Sequence, residues 1–269
     1  MNNLILTLIA IAFYLLATTL LGVRMRQGTE GKSQPKLPIL SLILGGLIVH
    51  GTLAYNATFL LTGLNLGFFN SMSLVAWLIT AIMLLAASTK PIENIGLVLL
   101  PLAAISLSLN ALYPGSQALL ENASWELKAH VLISIAAYAI LSISAVQAIL
   151  LAIQDRHLRN RQLGGFVRAM PPLQIMESLL FQLIGVGFVF LSIALLSGAI
   201  FLDDIFAQHL VHKTLLSVLA WVLFAVLLYG RWKFGWRSRT AIRWTLSGFA
   251  LLMLAYFGSK FVLELVLTR

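Results

Sequence analysis

The chain has 269 residues, of which 60% are hydrophobic and only 10% charged. A soluble domain carries roughly 25% charged residues to coat its surface, so this composition excludes a water-soluble globule and favours helices that face lipid and need no polar coat. The net charge of +9 does not signal nucleic acid, because the basic residues lie between long apolar runs, and the lack of cysteine excludes disulfides, thiolate metal sites and thioether-linked cofactors.

About 20 apolar residues are needed for a helix to cross the hydrocarbon core. Eight segments reach that length and are predicted to span: 4–23, 38–57, 70–88, 93–112, 128–153, 174–200, 212–229 and 244–266. The first is read as a retained helix rather than a cleaved leader, since Met1-Asn2-Asn3 carries no positive charge and Arg24 and Arg26 follow the apolar run. The fifth and sixth are long enough to tilt or to project from the bilayer. The expected class is therefore an all-α, polytopic membrane protein with about eight transmembrane helices. It reads as a single transmembrane domain, with four helices in residues 1–124 and four in 125–269.

The loops set the orientation. With the N-terminus outside, every lysine and arginine except Lys128, Lys213, Lys260 and Arg269 falls in a cytoplasmic loop (24–37, 89–92, 154–173 or 230–243). The positive-inside rule then predicts both termini to be extracytoplasmic. Trp125, Trp232, Trp236 and Trp244 stand near span boundaries, as interfacial aromatics do. Of the outer loops, 58–69 is apolar and expected to lie along the interface, 113–127 to form a short amphipathic segment, and 201–211 carries Asp203 and Asp204.

Motifs for soluble chemistry are weak. Gly31-Lys32-Ser33 resembles the end of a phosphate-binding loop, but Arg26 stands where the earlier glycine belongs and no strand precedes it. The spans lack the repeated carboxylates of a proton-driven pump, and Glu177, Gln182, Gln147 and Asn110 read as interhelical hydrogen-bonders.

The histidines carry more information. His50 lies in the outer half of the second span, His130 opens the fifth, His209 lies in the last outer loop and His212 at the start of the seventh span; His157 alone falls in a cytoplasmic loop. Neutral imidazole ligates haem iron and many divalent metals, and an ionisable residue inside a span is a functional candidate by default. The competing structural reading makes His50 polar glue between helices and the boundary histidines merely solvated. Gly46 lies one turn before His50, and His130, Ser134 and Tyr138 share one helical stripe. Lys128, Lys213 and Lys260 are outer cations able to pair with an anionic group or to snorkel to headgroups.

The C-terminal half resembles a known family. His130-Val131-Leu132-Ile133-Ser134-Ile135-Ala136-Ala137-Tyr138-Ala139, Ile184-Gly185-Val186-Gly187-Phe188 with Leu196-Ser197-Gly198-Ala199, Lys213-Thr214 through Trp221 to Arg231, and Ala255-Tyr256-Phe257-Gly258-Ser259-Lys260 are similar to successive helices of the cytochrome c assembly superfamily. The likeness is to the CcsA/CcmC type and its YpjD/HemX-like branch, and covers roughly 125–265. Its haem-delivering members carry a tryptophan-rich loop between the sixth and seventh helices; residues 201–211 contain no tryptophan, and the final-helix histidine of CcsA-type proteins is also missing.

The resemblance implies an inner-membrane, multi-pass protein that binds or positions haem on the outer face and assists cytochrome c assembly or haem trafficking. His130 is the expected axial ligand, His50 or His212 the opposing one, and Lys213 a propionate partner. Expected partners are the bilayer, haem and other cytochrome c maturation membrane proteins, with no nucleic acid. No nucleophile–base pair is evident, so no enzymatic activity is expected. Two further readings stay open: a divalent-metal protein such as an efflux accessory, using Asp203, Asp204, His209 and His212, and a membrane scaffold without a ligand.

Overall fold

The computed structural model describes residues 2–28, 35–60, 63–89, 92–113, 119–121, 124–161, 167, 170–201, 208–258 and 261. Among them are 8 helices long and apolar enough to cross a membrane. They are α1 (Asn2–Gly28), α2 (Leu37–Thr58), α3 (Phe68–Thr89), α4 (Gly96–Leu112), α5 (Trp125–Arg159), α6 (Leu173–Phe201), α7 (Gln208–Phe234) and α8 (Ser238–Met253), the last running on into a π-helical turn, Leu254–Gly258. Every predicted span is present. Two boundaries differ by six residues: α5 runs on to Arg159, past the predicted 153, and α8 begins at Ser238, before the predicted 244, because a three-residue turn holding Gly235 at φ +66° is enough to reverse the chain after α7. At 35 residues, α5 is about 52 Å long, well beyond the ~30 Å hydrocarbon core.

The chain divides into two compact units, residues 1–121 with 156–172, and 122–155 with 173–269. In unit 1, α1 packs on α2 and α4, and α3 packs on the same two, closing a ring of four helices. Glu93, in the 3-10 turn before α4, pairs with Arg24 at 3.1 Å and with Lys36, tying the ends of α1, α2 and α4 together. The opposite end is closed differently from the sequence expectation. The segments read as an interfacial stretch and an amphipathic turn instead contribute three short strands, β1 (Phe59–Leu60), β2 (Gly63–Asn65) and β3 (Leu119–Glu121), in an antiparallel sheet with Phe59 opposite Leu64 and Gly63 opposite Glu121. Apolar loop backbone at the membrane edge still needs its N–H and C=O groups paired, and strand pairing supplies what lipid cannot. Asn70 reinforces the closure: its amide nitrogen donates to Asn65 O at 2.7 Å, to Thr58 Oγ1 at 3.2 Å and to Ala57 O at 3.3 Å.

In unit 2, three contacts fix α5 against α6: His130 with Ser197, Leu141 with Gly187, and Gln147 with the Met176 carbonyl. Residue numbers rise along α5 as they fall along α6, so the helices are antiparallel. The same holds for α6 and α7, where the Trp221 indole donates to Ser192 Oγ at 2.8 Å and Arg231 reaches Glu177. The start of α5, the end of α6 and the start of α7 therefore share one end of the unit. Between lipid-solvated helices there is little hydrophobic drive, and close approach at small residues replaces it. At Gly187 a Cβ would stand 2.6 Å from Leu141 Cδ2 and 2.7 Å from its Cγ.

Gly187→Ala is accordingly expected to push α5 and α6 apart and destabilise the protein by about 1–3 kcal/mol. Thermal unfolding in detergent followed by circular dichroism checks this, and an unaltered midpoint would mean the helix pair has slack.

Candidate functional site

His50 and its neighbours form the polar centre of unit 1. Tyr14 on α1 can approach α2 because Gly46 has no side chain: a Cβ there would lie 2.8 Å from Tyr14 Cε1. The tyrosine ring fills that gap, and its hydroxyl lies 3.1 Å from His50 Nδ1. On the other side of the imidazole, Nε2 lies 2.9 Å from Ser73 Oγ on α3. His50 is 0% exposed, as are Tyr14 and Ser73. One imidazole thus joins three helices, and with both ring nitrogens engaged it offers no lone pair to an iron in this arrangement. Trp77 completes the α2–α3 contact, its indole donating to Leu47 O at 2.9 Å.

His130, in the second turn of α5, is different. It is half-buried, and its Nδ1 lies 2.9 Å from Ser197 Oγ near the end of α6. The Ser197 hydroxyl has a single proton and donates it to the Ala194 carbonyl at 3.0 Å. In the tautomer that keeps both bonds the serine accepts from His130, Nδ1 carries the imidazole proton and Nε2 keeps its lone pair. That is the arrangement a metal-ligating histidine needs, since a hydrogen bond at one nitrogen fixes the tautomer and orients the other.

The remaining sequence candidates are placed as follows. His212 is exposed and Lys213 half-buried, both early in α7 and so at the His130 end of unit 2. Tyr138, predicted to share a stripe with His130, packs among aromatics of α8 and its π turn, with ring centroids 5.6 Å from Phe249, 6.0 Å from Tyr256 and 5.4 Å from Phe257. Asp203, Asp204, Lys260 and the His209 side chain lie outside the described residues, among which no group of three His, Asp or Glu side chains could hold a metal ion.

Glu177, read as one interhelical hydrogen-bonder among several, proves to be an ion-pair centre at the other end of unit 2. Its Oε1 accepts from Arg231 Nη1 at 2.8 Å and from Arg237 Nε at 3.0 Å. Gln147 does bridge helices, donating to Met176 O at 3.0 Å, whereas Gln182 donates to Ser178 Oγ on its own helix at 3.4 Å. Sequence reasoning gave Ser197, Tyr14 and Ser73 no role. The available signal was weak, a hydroxyl within an apolar span, and such residues recur throughout these helices.

Apart from Tyr14, these residues fall within a region shared with known proteins. A family model described as Cytochrome C assembly protein matches residues 41–267. The inner membrane protein YpjD of Escherichia coli strain K12 is 34% identical over 209 residues, 76% of this chain and 78% of that protein. The cytochrome c biogenesis protein CcsA of Chlamydomonas reinhardtii is 27% identical over 147 residues, 53% of this chain and 40% of CcsA. Protein HemX of Brevibacillus brevis is 26% identical over 133 residues, 48% of either chain. No solved structure matches. With its apolar spans and its likeness to YpjD, this is a multi-pass inner-membrane protein, and the chain belongs to the cytochrome c assembly protein family.

Proposed function

We propose that this protein takes part in cytochrome c biogenesis by holding haem at the outer face of the inner membrane, with His130 as an axial ligand. The observation that carries the reading is the His130–Ser197 pair, which leaves an oriented Nε2 lone pair at the α5 entrance. Family membership supports it, since the matched region includes both residues. Haem would supply a redox-active iron with open axial positions. The protein's part is to bind and orient it, and the chain itself catalyses no bond change.

His212 is the better placed of the two opposing candidates, because it shares an end of unit 2 with His130 and is exposed. His50 would have to surrender either Tyr14 or Ser73 to coordinate iron. Lys213, adjacent to His212, remains the proposed partner of a propionate. The bilayer and other membrane proteins of cytochrome c maturation are the proposed surroundings in which the haem is received and passed on.

Purification after haem supplementation is expected to give a Soret band that His130→Ala loses while its circular dichroism stays helical; a band unchanged in that variant would overturn the ligand assignment. Ser197→Ala is expected to weaken haem retention by roughly 10- to 100-fold, the usual effect of removing a hydrogen bond behind a metal-bound histidine, and Ser197→Thr to preserve it, as read by haem titration. His50→Ala should behave in the opposite way. It strands the buried Tyr14 and Ser73 hydroxyls at about 1–3 kcal/mol each, so the melting temperature should fall while the Soret band of the folded fraction persists. Loss of the band at an unchanged melting temperature would instead make His50 the second ligand.

A further inference from the structure

The end of unit 2 opposite His130 carries positive charge that the protein does not neutralise. Arg231, Lys233, Arg237, Arg239 and Arg243 lie within thirteen residues, and residues 205–263 contain no acidic side chain. The carboxylates that meet these cations are Glu177 and Asp155, so five positive charges less two negative leave a surplus of three. Arg231 is spent on the architecture: its Nη1 donates to Glu177 and to Trp236 O at 3.1 Å, and its guanidinium lies 4.6 Å from the centre of the Phe181 ring. Ser238 Oγ donates to Asp155 at 3.2 Å, holding the start of α8 against α5. The turn between α7 and α8 is thereby fixed from both sides.

The other four cations are not consumed in this way. Arg237 uses only Nε on Glu177, and Arg239 reaches Asp155 through Nε at 3.6 Å; their side chains remain 58% and 56% exposed. Lys233 and Arg243 are exposed and form no ion pair among the described residues. Arg239 and Arg243, four apart on α8, share a face and repel each other unless an anion lies between them. Around the cations stand interfacial aromatics: Trp232 is 81% and Phe234 66% exposed, and Trp236 and Trp244 pair at 5.6 Å. Such rings settle at headgroup depth, which puts the free guanidinium and ammonium groups at the level of lipid phosphates.

We propose that the α7–α8 turn and the first turns of α8 bind the phosphate headgroup of an acidic phospholipid, held by Lys233, Arg237, Arg239 and Arg243. Charge complementarity selects an anionic over a zwitterionic lipid. The aromatic flank selects a membrane lipid over a dissolved anion, which has no acyl chain to rest beside Trp232. The positive-inside reading assigns the site to the cytoplasmic leaflet. This inference does not depend on haem.

The test uses the full chain, released from mixed phosphatidylglycerol–phosphatidylcholine nanodiscs, with bound lipids counted by native mass spectrometry. Phosphatidylglycerol is expected to be retained in preference to phosphatidylcholine. At about fivefold per basic residue, Lys233→Gln with Arg243→Gln should reduce that preference roughly 25-fold, while Lys233→Arg with Arg243→Lys should keep it. Equal retention of both lipids by the wild type, or undiminished preference in the glutamine variant, would overturn the proposal. So would displacement of phosphatidylglycerol by millimolar inorganic phosphate, which would mark a site for free anions. Melting curves for both double variants show whether each is folded before its lipids are counted.

Discussion

Inside hydrocarbon a polar group cannot fall back on water, so each hydroxyl, imidazole or carboxylate in a span must find its partner within the protein. Most of what is specific in this structure follows from that constraint. His50 is satisfied on both sides by Tyr14 and Ser73 and so becomes a joint among α1, α2 and α3. Glu177 is satisfied by Arg231 and Arg237 and becomes the anchor of the α7–α8 turn. Even the loops that carry β1, β2 and β3 in unit 1 obey it, pairing their backbones as strands.

The same constraint separates histidines that sequence alone treats as equals. A buried imidazole engaged at both nitrogens contributes stability and geometry but has nothing left with which to bind. One engaged at Nδ1 alone presents a directed lone pair in the tautomer in which the serine accepts from it. His50 and His130 differ in just this respect, and the difference comes from the helices packed beside them rather than from the residue itself.

Charge is distributed along unit 2 with comparable economy. One end gathers His130, His212 and Lys213, few in number. The other gathers arginines around two carboxylates, where ion pairing joins α6 to α7 and α5 to α8 and leaves exposed cations beside interfacial aromatics. Both features use side chains of limited number in a chain that is 10% charged, which is why nearly every ionisable group described here has an identifiable task.

The sequence by itself determined the solvent, the eight spans and the family. Hydropathy over twenty residues reports the phase a helix occupies, and the motifs around His130, Gly187 and Lys213 are local in the chain. The tertiary structure alone decided which polar residues meet. Tyr14 and His50 are 36 positions apart and His130 and Ser197 are 67 apart, so no periodicity along one helix could join them. Their pairing depends on register and rotation between helices, set by close approaches at Gly46 and Gly187. Strand formation in the loops of unit 1 was hidden for the same reason: β3 finds β2 across more than fifty residues, through backbone groups whose pairing leaves no mark on side-chain pattern.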